Sequence, residues 1–334
     1  MSSQQLITEE GFDLHDPPTD GISSLNFSTL NHDLLLVTSW DKSVRIYNVK
    51  SNSLVTKYEH QTSVLCGCFS NGEECTFSAG LDGKLVKYNM KSGEQSVIGT
   101  FPDFHKSAIK CISTIPGTPE KIITGSWDGT IKLWDTQQNT CIQTLDLTKK
   151  VYSMDVTPDG SKLVVASQDL LIFIVHIQKD SNQPLSLHIR KQSGLKYQTR
   201  VVKCFGDNNS YAIGSIEGRV AVEYFNNSNS NYAFKCHRSQ TGQQAVETLY
   251  PVNTIDFNPR HPNIFVTGGC DGVLMFWDKD KKRRVSRSAP YSTSIAVLTF
   301  STSGEYLACA VSYTWEMGNK SHPSDRIIVK KVYS

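Results

Sequence analysis

The chain of 334 residues is poor in the features that mark secretion, membranes and catalysis. None of its nine cysteines (positions 66, 68, 75, 111, 141, 204, 236, 270 and 309) forms a Cys-x-x-Cys pair, and most stand inside apolar runs. An odd count placed in this way favours reduced, buried thiols of the cytosol or nucleus over a disulfide framework or a zinc site. No apolar run approaches the roughly 20 residues needed to cross a bilayer. Met1-Ser-Ser-Gln-Gln brings no charged segment ahead of an apolar one, so no signal peptide is expected. An excess of one charge is missing too: 34 basic against 32 acidic side chains leave a net charge of +2. That is too small for bulk attraction to nucleic acid or membrane, so any charged partner must be met by a local patch. The nine histidines are scattered, and no phosphate loop, metal-ligand spacing or nucleophile with its base is found. Neither an enzyme, a cofactor nor a metal site is expected.

What the chain has is repetition. Thr124-Gly-Ser-Trp-Asp-Gly-Thr-Ile-Lys-Leu-Trp-Asp135 enters a turn at Trp127-Asp128-Gly129 and leaves with Ile131 and Leu133 alternating against polar neighbours. Asp-Gly supplies the turn dihedrals and a period of two supplies half-buried strands, which together read as a hairpin. The pattern ends in Trp-Asp, the dipeptide that closes a WD-type repeat. With His105 upstream, the side chains of His105, Ser126, Asp128 and Trp134 are expected to hydrogen-bond in series within one blade. His60 occupies the equivalent position one repeat earlier, and a structural link is favoured there over metal ligation. The turn aspartates Asp41, Asp82, Asp128 and Asp271 recur as repeat grammar; a catalytic pair would not recur once per blade.

The first three of these turns lie 41 and 46 residues apart, matching the ~40 to 45 residues of a WD repeat. Seven four-stranded blades fit the length: approximately residues 20–59, 60–103, 104–148, 149–190, 198–248, 250–290 and 292–334. The fold class is therefore all-β, a single-domain seven-bladed WD40 propeller. A strand at residues 4–9 is assigned to close the ring, because laying one chain end beside the other removes the exposed edge. The fourth blade is degenerate, Asn226–Asn231 reads as a solvated polar loop, and Tyr313–Asp325 is an insertion where other blades have a tight turn.

Departures from the repeat carry the functional reading. Before the turn aspartate stand Trp40 and Trp127, where other clear blades have Leu81 and Cys270. Indoles at the mouth of a propeller channel are either binding anchors, each contributing roughly 2 kcal/mol when covered, or packing on neighbouring turns. Cations gather in Lys196–Arg200, at Arg219 and in Lys235–Arg238. Arg219 opens a strand otherwise devoted to packing, and its planar donors suit a carboxylate or phosphate, unless the cations are simply solvated. Lys279-Asp-Lys-Lys-Arg-Arg284 has the composition of a nuclear-localisation patch.

Several stretches go beyond a generic propeller: Gly21-Ile-Ser-Ser, Leu36-Val-Thr-Ser-Trp-Asp41-Lys-Ser-Val-Arg, Thr124-Gly-Ser-Trp-Asp, Leu195-Lys-Tyr-Gln-Thr-Arg200, Ser215-Ile-Glu-Gly-Arg-Val-Ala-Val-Glu-Tyr224, Tyr232-Ala-Phe-Lys-Cys-His-Arg238, Tyr250-Pro-Val-Asn253 and His322-Pro-Ser-Asp325. From about residue 20 onward these resemble the mitotic spindle checkpoint WD-repeat family of the Bub-three type. The messenger-RNA export propellers of the Rae or Gle type share part of them, and Phe276-Trp-Asp-Lys-Asp280 leans that way; Lys196–Arg200, Val222-Glu-Tyr and His322–Asp325 look like the checkpoint family. The resemblance implies a monomeric propeller working within a hetero-complex, without nucleic acid or membrane contact. It implies that Trp40, Trp127 and Arg200 hold an acidic GLEBS-type segment of a checkpoint kinase or pseudokinase of the Bub or Mad type. It implies that Arg219 and Lys235 hold phosphorylated Met-Glu-Leu-Thr repeats of a kinetochore scaffold, and it places the protein in the nucleus, at kinetochores in mitosis, with a cytoplasmic pool. The export family implies instead an adaptor that binds a nucleoporin's GLEBS segment.

Overall fold

The alternating runs fold, in the computed structural model, into seven sheets of four antiparallel strands; the structure describes residues 11–241 and 246–332. No α-helix occurs among the described residues, only the 3-10 turns Gln168–Leu170 and Ser228–Ser230. The protein is an all-β, seven-bladed propeller. Blade 3 shows the plan: Ile109–Ile115, Thr118–Ser126, Thr130–Asp135 and Thr140–Asp146 pair in sequence order. Blades 1 and 2 run from Ile22–Phe27 to Ser53–Glu59 and from Val64–Phe69 to Gln95–Ile98. Blades 4, 5 and 6 run from Val151–Val156 to Leu185–Gln192, Thr199–Cys204 to Tyr232–Lys235, and Val252–Phe257 to Arg283–Arg287.

Blade 7 takes its strands from both ends of the chain. Ile295–Phe300, Tyr306–Val311 and Arg326–Lys331 are joined by Phe12–Asp13, which pairs antiparallel to the third of them. Asp13 receives two hydrogen bonds from the Arg326 guanidinium, and the Leu14 amide donates to Ile327 O at 2.9 Å. The strand expected at residues 4–9 lies outside the described residues; the N-terminal edge strand seen is Phe12–Asp13.

The chain divides into two compact units. One, residues 23–193, holds blades 1 to 4, and the other, built from residue 194 onward together with the N-terminal residues through 22, holds blades 5 to 7. Within each, apolar side chains of successive sheets meet face to face. In the first unit Ile123, Leu133, Val151, Leu163 and Phe173 form one such core; in the second, Phe205, Val222, Val252, Phe265 and Trp277 form another. This burial is the main stabilising contribution, at about 25 cal/mol per Å² of apolar surface withdrawn from water.

The turns between second and third strands follow one design. Asp128 Oδ1 accepts the Thr130 amide at 2.8 Å, and Asp41, Asp82 and Asp271 accept the amide two residues on in the same way. These are Asx turns, in which the carboxylate stands in for a backbone acceptor. Gly129 follows with φ +86°, and a Cβ there would meet the Lys149 amide at 3.0 Å, so glycine is required by both conformation and space. The degenerate turn of blade 4 lacks glycine and instead places Asp169 and Leu170 in the left-handed region, at φ 62° and 61°.

One element escaped the sequence reading. After blade 5 the strands Arg238–Thr241 and Val246–Leu249 form an additional hairpin before blade 6 begins.

Candidate functional site: turn-end aromatics and cations

The hydrogen-bonded series expected in blade 3 exists, with a different member. His105 Nδ1 lies 3.0 Å from Asp128 Oδ2, His105 Nε2 lies 2.8 Å from Thr124 Oγ1, and Trp134 Nε1–H donates to the same Oγ1 at 2.8 Å. Thr124 therefore replaces Ser126. The register explains the correction: Trp134 sits opposite Ile122, so its indole reaches Thr124, while Ser126 lies about 7 Å farther along the strand. Ser126 supports the turn instead, accepting the Asp128 amide at 3.0 Å and donating to Ser107 O at 3.2 Å. Burial pushes the Asp128 carboxyl up, but hydrogen bonds from His105, Thr130 and the Lys106 amide hold it well below the carboxylate range. Burial also lowers the His105 imidazole, against the pull of Asp128.

Blade 6 repeats the relay through His237, Asp271, Thr267 and Trp277, with distances of 2.8, 2.8 and 3.0 Å. The sequence reading missed His237. Its signal was present: Thr, then Asp four residues on, then Trp six further, as in Thr124, Asp128 and Trp134. In blade 2 only His60 Nε2 to Ser78 Oγ survives, at 2.8 Å. These histidines are structural links that fix the turn carrying the candidate site.

The residue before each turn is held by its backbone. The amides of Leu81, Trp127, Gln168, Ile216, Cys270 and Ser312 each donate to a carbonyl just before or at the start of their blade's first strand: Ser63, Ala108, Lys150, Gln198, Pro251 and Ser294. Trp40 occupies the same place in blade 1, where its carbonyl accepts Ser63 Oγ at 2.9 Å. Trp40 is 42% exposed and Leu81 40%, Trp127 is half-buried, and Cys270 is buried. Blades 1 to 3 thus present three apolar side chains at equivalent positions, Leu81 joining the two indoles. Neither indole is sealed inside its unit.

Arg200 owes its orientation to a bulge. In blades 2 to 7 the first strand skips one residue in its pairing with the second, and the skipped residues are Leu65, Lys110, Tyr152, Arg200, Asn253 and Ala296. A bulge leaves the extra residue unpaired and re-aims its side chain. Arg200 and Lys110 are half-buried and make no ion pair among the described residues. Lys110 is thus a second cation at this position, which periodicity alone did not single out.

Arg219 and Lys235 face each other directly across the third and fourth strands of blade 5. Directly opposed residues share a face, so the guanidinium and the ammonium are neighbours. Arg219 is steadied by Glu217, Nε to Oε2 at 3.6 Å, while Lys235 is exposed. Between Glu217 and Arg219 the turn residue Gly218 has φ +62°, and a Cβ there would meet Cys236 O at 2.6 Å. Arg238 braces this turn by donating to Glu217 O at 2.9 Å and pairs with Glu247 at 2.9 Å. Two cations on one face of a rigid sheet suit a doubly charged phosphate, whose oxygens accept several charge-assisted hydrogen bonds.

The basic run at 279–284 is folded into blade 6. Lys279 is buried against Asp207 at 2.5 Å and over the Phe205 ring at 4.6 Å, Lys281 pairs with Asp278 at 3.0 Å, and Lys282 lies over Tyr232 at 4.7 Å. No group of three or more His, Cys, Asp or Glu able to hold a metal occurs among the described residues.

Known proteins agree with this architecture. The WD domain, G-beta repeat model matches residues 9–48, 95–135, 139–175 and 234–278. The chain is 39% identical to "Mitotic checkpoint protein bub3" of Dictyostelium discoideum over 333 residues, covering 98% of this chain and 96% of that protein. It is 41% identical to "Mitotic checkpoint protein BUB3.1" of Arabidopsis thaliana, covering 96% and 93%. It is 36% identical to "mRNA export factor GLE2" of Chaetomium thermophilum, covering 94% and 87%. With this likeness along nearly the whole chain and the seven blades that carry it, the protein belongs to the Bub3 family of WD40-repeat propellers, to which the mRNA export factor GLE2 and the protein Rae1 are related.

Proposed function

We propose that this propeller is a non-enzymatic adaptor of the spindle assembly checkpoint. It binds a GLEBS-type acidic segment of a checkpoint kinase or pseudokinase and phosphorylated Met-Glu-Leu-Thr repeats of the kinetochore scaffold, and so brings the kinase to unattached kinetochores. Trp40 and Trp127 cover apolar side chains of the acidic segment, and Arg200, which has no carboxylate partner among the described residues, pairs with its glutamates. Arg219 and Lys235 receive the phosphate. The observation that carries the reading is their direct opposition on neighbouring strands, in a chain about 40% identical to two mitotic checkpoint proteins. A stiff sheet needs little ordering when a disordered peptide arrives, so the entropic cost falls mainly on the peptide.

The experiment is binding of phosphorylated and plain repeat peptides to the wild type and to Arg219→Ala/Lys235→Ala. Selective loss of the phosphorylated peptide in the double variant supports the reading; unchanged binding refutes it. The likeness to the export factors favours a second reading, an adaptor on a nucleoporin's GLEBS segment. A tagged protein followed through mitosis separates the two: it collects on unattached kinetochores in the first case and stays at the nuclear envelope in the second.

A further inference from the structure

We propose that the loop of residues 313–325 is an additional apolar anchor for the acidic partner segment, with Trp315 and Met317 covering an apolar side chain next to the carboxylate that faces Arg200. The proposal rests on the adaptor reading and adds a contact to it. The loop replaces the tight turn between the second and third strands of blade 7, the connection that carries Trp40, Leu81 and Trp127 in blades 1 to 3. Trp315 is 55% exposed and Met317 71%. Isolated apolar residues on a surface need no explanation, but here two large ones stand two positions apart on one loop braced at several points.

The bracing is specific. The buried Tyr313 donates its hydroxyl to Gly318 O at 2.9 Å and accepts the Met317 amide at 3.0 Å. Ser294 Oγ donates to Glu316 Oε1 at 3.0 Å, and Thr314 Oγ1 to Glu316 Oε2 at 2.8 Å. His322 packs on Tyr313 at 5.0 Å and edge-on against Trp315 at 6.4 Å, and Lys320 lies 4.8 Å over the Tyr313 ring. Trp315 itself is held at φ +59°, a left-handed conformation costly for a bulky side chain and kept only where the surroundings impose it.

Two observations commit the occupant. Thr314 Oγ1 touches Cys270 Sγ, the turn-end residue of blade 6, at 3.3 Å. Burial pushes the Cys270 thiol up, hydrogen bonds from Thr314 and Asn253 oppose that, Glu316 adds to the rise, and the Arg200 guanidinium pulls the other way. The loop therefore contacts the turn end of blade 6, whose first strand adjoins the strand that carries Arg200, within the same unit. Three cations of this unit, Arg200, Lys196 and Lys320, make no ion pair with a carboxylate among the described residues, and against them stands Glu316, whose oxygens are held by the Ser294 and Thr314 hydroxyls. An acidic strand with interspersed apolar residues complements that surface. A second copy of this chain, with its near-balanced charge, does not.

The test uses a fluorescein-labelled GLEBS-type peptide of the checkpoint kinase, followed by anisotropy with the full chain. Trp315→Ala is expected to weaken binding about tenfold or more, and Trp315→Phe about threefold or less. The melting temperature of Trp315→Gly is expected to be unchanged or higher, since glycine accepts the left-handed backbone, while its binding falls as in Trp315→Ala. Binding by Trp315→Ala and Trp315→Gly equal to wild type, with Trp127→Ala impaired, overturns this inference and leaves the adaptor reading standing. A wild type that does not bind the peptide overturns both. A dimer seen by light scattering and lost in Trp315→Ala assigns the patch to a second copy and also overturns the inference.

Discussion

Replacing Trp40 by alanine gives a magnitude that follows from the structure. The indole is 42% exposed, and its backbone is held independently of the ring by the bond from Ser63 Oγ. A tryptophan side chain offers up to about 250 Å² for burial, so a partner that covers the exposed part removes about 100 Å² from water. At about 25 cal/mol per Å² this is worth about 2.5 kcal/mol, or a Kd about 70-fold weaker in Trp40→Ala. Titration calorimetry with the acidic kinase segment measures it at a temperature where both proteins are folded, and the melting temperature should fall as well because the rest of the ring is withdrawn from solvent within the fold. Leu81→Ala, with a smaller exposed side chain, should cost about 1 kcal/mol. A Kd for Trp40→Ala within about threefold of wild type would refute the anchoring argument, since no anchor of this exposure is silent when covered.

Thr124→Val should destabilise the protein by about 2 to 4 kcal/mol in urea unfolding, because it leaves the buried Trp134 N–H and His105 Nε2 without their shared partner; Thr124→Ser, which keeps the hydroxyl, should lose about 1 kcal/mol. Equal losses in the two variants would show the relay to be inert. Acid should weaken the fold in two stages. His105 is held below its ordinary value, so stability is lost as pH falls through about 6.5, where the unfolded chain takes up the proton more readily. Asp128 is held lower still than an ordinary carboxylate, so its contribution is complete above pH about 4 and lost below it. Urea midpoints across pH for wild type and Asp128→Asn test this, the variant losing the lower stage.

The repeat was legible because it is written in a period and a turn residue: Asp-Gly between alternating runs marks blades 2, 3 and 6 in sequence and structure alike. Exposure of Trp40 followed from its place before a turn. What stayed hidden depends on register. Thr124 rather than Ser126 joins His105 to Trp134 because the indole reaches two residues along the neighbouring strand, and no spacing rule within one strand shows that. The bulge that re-aims Arg200 is a property of pairing between strands, so Lys110 looked like an ordinary surface lysine. The opposition of Arg219 and Lys235 needed the register of two strands separated by an irregular polar loop. His237 was missed for a different reason: it precedes the additional hairpin Arg238–Leu249, which lengthens its distance to Thr267 and masks the relay seen in blade 3.

The ratio of dissociation constants for plain and phosphorylated Met-Glu-Leu-Thr peptides tests the central claim most directly. Two cations on one face should gain at least two charge-assisted hydrogen bonds to phosphate, each about 1.5 to 3 kcal/mol, so the account expects the plain peptide to bind about 100-fold more weakly or worse. Equal constants for the two peptides would contradict it.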